Sequence, residues 1–371
     1  MPWTTRDIVA LTLLNHVPAA EVIRLATKCE NLTEALEEIG GGRDLFSSAD
    51  ALADIAGTSL ARCAALDVQV ITWLDAGYPS RLHGLPSQPA VLYVRGTLQN
   101  AAPTIAVVGT RTCSLQYGRT VTDTMVRAWC RQGAVIVSGL AAGIDTHAHE
   151  ACVAMHARTI AVIASGIDRI TPNDGRRLAD RIVENNGAIV SEYRCGVAAL
   201  PPYFPARNRI ICGLSDAVVV VESKRKGGAL ITASFAEKYQ RPLFAVPGPI
   251  TSSRSDGTNE LIRSKRATAL LNADEVLANI RKNASPLDDL SEWTWDLQLV
   301  STNDQHSALG LSPLQLRILE VLQIEPMHVD ALAHKCDTTV QDLFGELLAL
   351  ELMMVVEPMP GNRYRVTTTV R

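Results

Sequence analysis

The sequence predicts a Rossmann-like, doubly wound α/β domain built on a mostly parallel sheet, with a helical domain before it and a winged helix after it. Three observations carry this expectation. Six short β-branched runs alternate with helix-spaced stretches between residues 104 and 280. Apolar residues at helical spacing fill residues 6–66. From residue 311 onward, three helical patterns precede a hairpin pattern. Near-continuous apolar strands separated by helices indicate a parallel sheet covered on both faces.

In chain order, Ile8, Leu11 and Leu14, then Val22, Leu25 and Ala26, then Leu32, Ala35, Leu36 and Ile39 recur at helical spacing. Pro18 suits the first turn of the second helix, where a missing N–H costs nothing. The run GGGR at 40–43 ends the third helix, and a fourth stretch spans about 48–66. Residues 1–66 thus resemble a SAM or helix-hairpin-helix domain in pattern. Residues 68–96 read as strand, proline-rich turn and strand, leading into a central domain over 67–280. Its strand candidates are 104–109, 134–139, 159–164, 188–192, 217–222 and 242–248. Residues 281–308 are polar and aperiodic, a linker. In 309–371, Ser312 is placed to cap a helix with Pro313 in its first turn. Two further helices and a hairpin turning at Gly361-Asn362 complete a winged-helix pattern.

Composition narrows the function classes. Apolar residues make up 47% and charged residues 20%, enough for a packed core and against disorder. No stretch approaches about 18 uninterrupted apolar residues, so no membrane span is expected. The N-terminal apolar stretch lacks a cationic leader and a cleavage site, which points to a cytoplasmic protein. The eight cysteines form no C-x-x-C pair, so reduced thiols are expected and no metal site. The net charge of −4 conceals an asymmetry. Residues 1–100 carry 7 Lys+Arg against 11 Asp+Glu, residues 101–280 carry 21 against 15, and residues 281–371 carry 7 against 13. The surplus concentrates in 203–266, with 11 basic and 5 acidic residues, the local basic surface that phosphate binding requires.

Five segments carry chemistry. In VVGTRTCSLQYG, Gly109 allows a sharp strand-to-helix turn, Thr110 follows it, and Arg111 offers a planar fork to a phosphate near a helix N-terminus. An ordinary turn bearing a surface arginine explains this segment equally well. In SGLAAGIDTHAHEACVA, Gly139 and Gly143 flank a tight loop at a strand's carboxyl end, where open sheets bind ligands. His147, His149 and Glu150 invite a metal assignment, but positions two apart on a helix do not share a face, so structural roles are expected for them and for Asp145. In PPYFPARNRIICGLS, Phe204 is placed to stack on a base while Arg207 and Arg209, bracketing Asn208, take phosphates. In SKRKGGALITASFAE, Lys224, Arg225 and Lys226 run into the Gly227-Gly228 pair and a helix start containing Thr232, a cradle for phosphate. In RSDGTNELIRSKRATALL, Gly257 and Asn259 are placed to close a loop over the same crevice, with Arg263, Lys265 and Arg266 on a helix. The dinucleotide fingerprint, the Walker lysine loop and the nucleophile elbow are all missing, so neither a nucleotide cofactor nor catalysis is expected. Glu192 and Glu222 end strands and remain candidates for a ribose-facing acid.

Taken in order, VVGTR, SGLAAGIDTHAHEA, FPARNRIICGLS, VVVES, GGALITA, AVPG and GTNELI resemble the DNA processing protein A (DprA, or Smf) family across about residues 68–271. The resemblance implies a non-enzymatic protein that binds single-stranded DNA entering the cell, protects it and loads the RecA recombinase during natural transformation. It implies a homodimer through the Rossmann-like domain. It assigns Arg111 to a phosphate, Phe204 to a base, and Arg207, Arg209 and Lys224 to the strand's path. The chain departs from the family's pattern at Thr110, where serine is usual, at Thr171, at RSKRAT, and at NHVPAA, which lacks a glycine-rich turn. The acidic winged helix fits a protein-facing or regulatory role better than phosphate contact. Two other classes compete. A nucleotide phosphoribohydrolase would share the glycine pair of KGGALITASFAE but needs a proline, a further glycine and a spaced glutamate that are missing here. A winged-helix transcription regulator with a ligand-sensing Rossmann domain would prefer a specific duplex.

Overall fold

A computed structural model describes residues 3–14, 17–39, 48–98, 102–171, 175–283, 312–322, 327–336, 338–340, 343, 346–347, 350, 356–359 and 363–366. The chain divides into two compact units, residues 1–293 and 294–371.

The larger unit begins with four helices: α1 (Thr5–Thr12), α2 (Ala19–Lys28), α3 (Leu32–Glu38) and α4 (Ala49–Ala65). Their starts are set by local chemistry. Thr4 and Asp7 form a reciprocal capping box, and Asn31 and Ser48 each accept a hydrogen bond from an N3 amide. A nine-stranded sheet follows, in the order β1-β2-β6-β5-β4-β3-β7-β8-β9. Its strands are β1 (Gln69–Thr72), β2 (Val91–Gly96), β3 (Thr104–Val108), β4 (Val135–Ser138), β5 (Thr159–Ile163), β6 (Ala188–Ser191), β7 (Ala217–Val220), β8 (Leu243–Ala245) and β9 (Thr268–Ala269). The lead-in pair β1 and β2 runs antiparallel, as does β2 against β6; the remaining pairings are parallel. The two-residue β9 was not anticipated from the sequence. Thr268 and Ala269 are too few to show a period, and pairing with Phe244 and Ala245 alone makes them a strand.

Helices cover both faces. They are α5 (Thr120–Arg131), α6 (Ile144–Ala154), α7 (Gly175–Glu184), α8 (Tyr203–Gly213), α9 (Ala229–Lys238), α10 (Asp256–Arg263) and α11 (Asp274–Asn283). Along β3, Ile105 and Val107 join one core with Val126 and Trp129 of α5, while Ala106 and Val108 join another with Ile210 and Ala233 of α8 and α9. The period of two divides one strand between two cores. The N-terminal helices do not close a core of their own. Ile8, Leu25 and Leu36 share a buried cluster with Tyr93 of β2, Ile163 of β5 and Ile182 of α7.

In the smaller unit, Ser312 accepts from the Gln315 amide and Gln315 reaches back to the Ser312 amide, which caps the helix Pro313–Leu322. A second helix spans Val329–Lys335. The strands Met327–His328, Val356–Met359 and Arg363–Val366 form a three-stranded antiparallel sheet, with Arg363–Val366 in the middle. The expected GGGR break at 40–43, most of the 281–308 linker and the Gly361-Asn362 turn lie outside the described residues.

Candidate nucleic-acid interface

The chain builds β3 to β6 outward in one direction, then crosses back through α8 and adds β7 to β9 on the other side of β3. The order therefore reverses between β3 and β7. Open parallel sheets bind ligands at the carboxyl ends flanking such a reversal. A crevice of about 610 Å³ opens there. Among the residues lining it are Gly109, Thr110, Arg111, Phe204, Arg207, Asn208, Lys224, Lys226, Gly227, Gly228 and Thr232. Segments separated by more than a hundred residues thus meet in one channel.

The turn after β3 is fixed from both sides. The Thr110 amide donates to the Glu222 carbonyl (2.8 Å), and the Ile144 amide donates to the Thr110 carbonyl (3.3 Å). A side chain at Gly109 would meet Ile144 at 2.4 Å. Gly143 has a φ of 82°, and a Cβ there would lie 2.3 Å from the Thr110 carbonyl oxygen. Only glycine satisfies both demands. Gly143 therefore shapes the crevice without lining it, and so does the buried Gly139, where a Cβ would strike the Arg207 guanidinium at 2.7 Å. Arg111 is exposed, its guanidinium carbon 5.2 Å from the centroid of the Phe204 ring.

The expectation that the helix N-terminus after Gly109 is open to an anion is corrected. Glu222 is 2% exposed; it accepts from the Ser114 amide (2.9 Å) and from Ser114 Oγ (2.6 Å). This protein carboxylate already occupies the start of the π-helical turn Leu115–Arg119. Glu222 is accordingly not a ribose-facing acid. The N-terminus of α9 is different. Its N-cap is Gly228, no side chain caps it, and it opens on the crevice beside the exposed Lys224 and Lys226. Thr232, one turn in, is 1% exposed, and its hydroxyl lines the crevice with no hydrogen-bond partner. A buried hydroxyl left unpaired is costly, so this one is suited to an incoming polar group.

Arg207 is 5% exposed and forms the crevice floor. Its Nη1 donates to the carbonyls of Gly139 (2.6 Å) and Val162, and its Nε donates to Asn208 Oδ1 (3.3 Å). Burial lowers the Arg207 pKa to about 10, while Asp145 beside it opposes that shift. Burial raises Asp145 to about 6, against the pull of Arg207 and of donors including the Gly139 amide. Arg207 therefore supplies positive potential from beneath rather than a free fork.

Other expectations are relocated. Arg209 does not line the crevice; it pairs with Glu192, both largely buried, because positions two apart on α8 face apart. Glu192 is thereby committed to Arg209. Gly257 and Asn259 do not line the crevice but tie neighbouring backbone together. The Gly257 amide donates to the Ser223 carbonyl (2.7 Å), and Asn259 exchanges two hydrogen bonds with the Gly248 backbone. The helix α10 ends at Arg263, so Lys265 and Arg266 lie past it, with Lys265 at a φ of 57°. His147 pairs with Glu150, while His149 is fully buried against Thr159 (2.8 Å). Among the described residues no group of three His, Cys, Asp or Glu is placed to hold a metal. All eight cysteines are free, six buried and two half-buried. Pro201 and Ile211 also line the crevice and went unrecognised. The helical spacing of 204, 208 and 211 would have shown Ile211 on the Phe204 face.

Residues 69–281 match the family described as DNA recombination-mediator protein A, and residues 303–362 match the DprA winged helix domain. Protein Smf of Synechocystis sp. is 36% identical over 322 residues, 80% of each chain. DNA processing protein DprA of Streptococcus pneumoniae is 42% identical over 206 residues, 55% of this chain and 72% of the relative. The solved structure of that DprA aligns with a TM-score of 0.63 at 31% identity, over 75% of this chain and 98% of its own. A structure of DNA processing protein A from Helicobacter pylori, which concerns its single-stranded DNA binding mode, aligns with a TM-score of 0.52 at 31% identity, over 58% and 98%. The matching family is described by DNA recombination, and the DprA relatives are named for DNA processing. The chain belongs to the DNA recombination-mediator protein A family.

Proposed function

We propose that this protein grips single-stranded DNA in the crevice at the β3–β7 reversal and passes it to a recombinase. The observation that supports this most directly is the meeting of Arg111, Arg207 and Lys224 in one channel with an uncapped helix N-terminus and the Phe204 ring. Cations and backbone amides suit phosphates, and the ring suits any base face. Arg111, Lys224, Lys226 and the α9 amides hold the backbone; Gly228 leaves that path clear of a side chain, while Gly109, Gly143 and Gly227 permit the close-packed turns that frame it. Phe204 stacks on a base, and Asn208 and Thr232 offer polar contacts. The partner receiving the strand is the RecA recombinase, the chain acts as a homodimer through its Rossmann-like domain, and the setting is DNA uptake in the cytoplasm during natural transformation. No described helix is long and apolar enough to cross a membrane.

The test is a titration of the purified chain against single- and double-stranded oligomers at two salt concentrations. Preferred single-strand binding that weakens steeply with salt is expected. An Arg111→Ala, Lys224→Ala double variant that bound an oligothymidylate as well as the native chain would overturn the assignment.

A further inference from the structure

We propose that the nucleic-acid track extends past the crevice onto a second platform at the carboxyl ends of β5 and β6, where the stacked Tyr193–Tyr203 pair and the arginines Arg169 and Arg194 hold further nucleotides of the same strand. This rests on the crevice being the single-strand site.

The platform is rigid. The loops following β5 and β6 are tied by the Gly166 amide donating to the Val197 carbonyl (2.8 Å) and the Gly196 amide donating to Asp168 Oδ1 (2.7 Å). A Cβ at Gly166 would lie 2.5 Å from the Arg194 carbonyl oxygen, so the two loops approach as closely as glycine permits. On this base the Tyr193 and Tyr203 rings stack with centroids 4.2 Å apart and planes 21° from parallel, both half-buried. The pair adjoins the crevice. Tyr203 precedes Phe204 on α8, and the Tyr193 phenol, raised by burial and then by Glu192, is pulled back by the charges of Arg209 and, more weakly, of Arg207 in the crevice floor.

The same two loops carry two arginines, Arg169 after β5 and Arg194 directly after Tyr193. Arg169 and Arg194 are exposed and join no ion pair among the described residues. The nearby carboxylates are already committed, Asp168 to Arg62 of α4 (2.6 Å) and Glu192 to Arg209. Two exposed guanidinium groups on the loops that carry a flat, part-exposed aromatic stack provide both things a single strand requires, cations for phosphates and π-faces for bases. A duplex offers no base faces, so the aromatic pair selects an unpaired strand. Strands lie about 4.8 Å apart, so the three steps from β3 to β6 place the platform about 14 Å from the turn after β3. A polynucleotide crossing the carboxyl edge of the sheet covers that distance.

The experiment compares fluorescence anisotropy of the full chain with oligothymidylates of about 5 and about 15 nucleotides, spanning the usual range of single-strand site sizes. An Arg169→Gln, Arg194→Gln variant alters only exposed side chains. It is expected to bind the shorter oligomer normally, to bind the longer one more weakly, and to show a salt slope shallower by about 1.4 for two lost phosphate contacts. Tyr203→Ala should weaken the longer oligomer about five- to a hundredfold, and Tyr203→Phe should restore it. Native affinity and slope for the longer oligomer in both variants, with Arg111→Ala impaired on both oligomers, would overturn the platform and leave the crevice standing. Failure of the native chain to bind either oligomer would overturn both.

Discussion

The guanidinium of Arg111 lies over the Phe204 ring at 5.2 Å, which joins the turn after β3 to the face of α8 that lines the crevice. In the proposed reading, one residue meets the phosphates of a strand and the other its bases. Arg111→Ala should therefore weaken single-strand binding and make the salt slope shallower by about 0.7, the share of one phosphate. Phe204→Leu should weaken binding by about 1–3 kcal/mol and leave the slope unchanged. Equal slopes in both variants, read by anisotropy at several salt concentrations, would separate Arg111 from the phosphates.

Arg209 and Lys224 differ in the same experiment. Arg209 is paired with Glu192 away from the crevice, while Lys224 is exposed within it. Removing one partner of a largely buried pair destabilises by about 3 kcal/mol. Arg209→Ala should lower the urea midpoint and keep the salt slope, and Lys224→Ala should do the reverse.

Glu222 anchors Ser114 and leaves no room at Gly118, where a Cβ would lie 2.2 Å from the carboxylate. Glu222→Ala strands both Ser114 donors and should cost about 2 kcal/mol, with Tm lower by about 2–4 °C per kcal/mol. Gly118→Ala should be destabilised for the opposite reason, overcrowding. Calorimetry that finds either variant as stable as the native chain would contradict this packing.

Two buried groups that feel the charge of Arg207 have opposite pH dependences. Burial, followed by the charge of Arg207, lowers His149 from 6.5 to about 3. As pH falls below 6.5 the unfolded chain takes up a proton that the folded chain refuses, so stability declines. Asp145 is raised by burial from 3.8 to about 6, so between pH 6 and 4 the folded chain takes up the extra proton and stability rises. Each slope is about 1.4 kcal/mol per pH unit, and over that window they offset each other. Asp145→Asn should lose stability relative to the native chain by about that amount per unit from pH 6 to 4, measured by urea unfolding. Parallel pH profiles would show that Asp145 ionises normally.

The sequence alone determined the alternation of strand and helix, because β-branched runs such as 104–108 and 217–220 are apolar on both sides and fit only a sheet covered on both faces. It also located the crevice segments, since glycine before a basic residue at a strand's end reflects local backbone demands. It could not show which polar groups face the crevice and which face the interior. Arg207 and Arg209 look alike in sequence, yet one floors the channel and the other pairs with Glu192. Glu222 resembles a ligand-facing acid until folding sets it against Ser114, more than a hundred residues away. The N-terminal helices resemble a separate domain by their period, but their apolar faces complete a core with β2, β5 and α7. In each case the deciding contact joins residues far apart in the chain. Burial and partner choice are properties of that assembled packing, and no local pattern contains them.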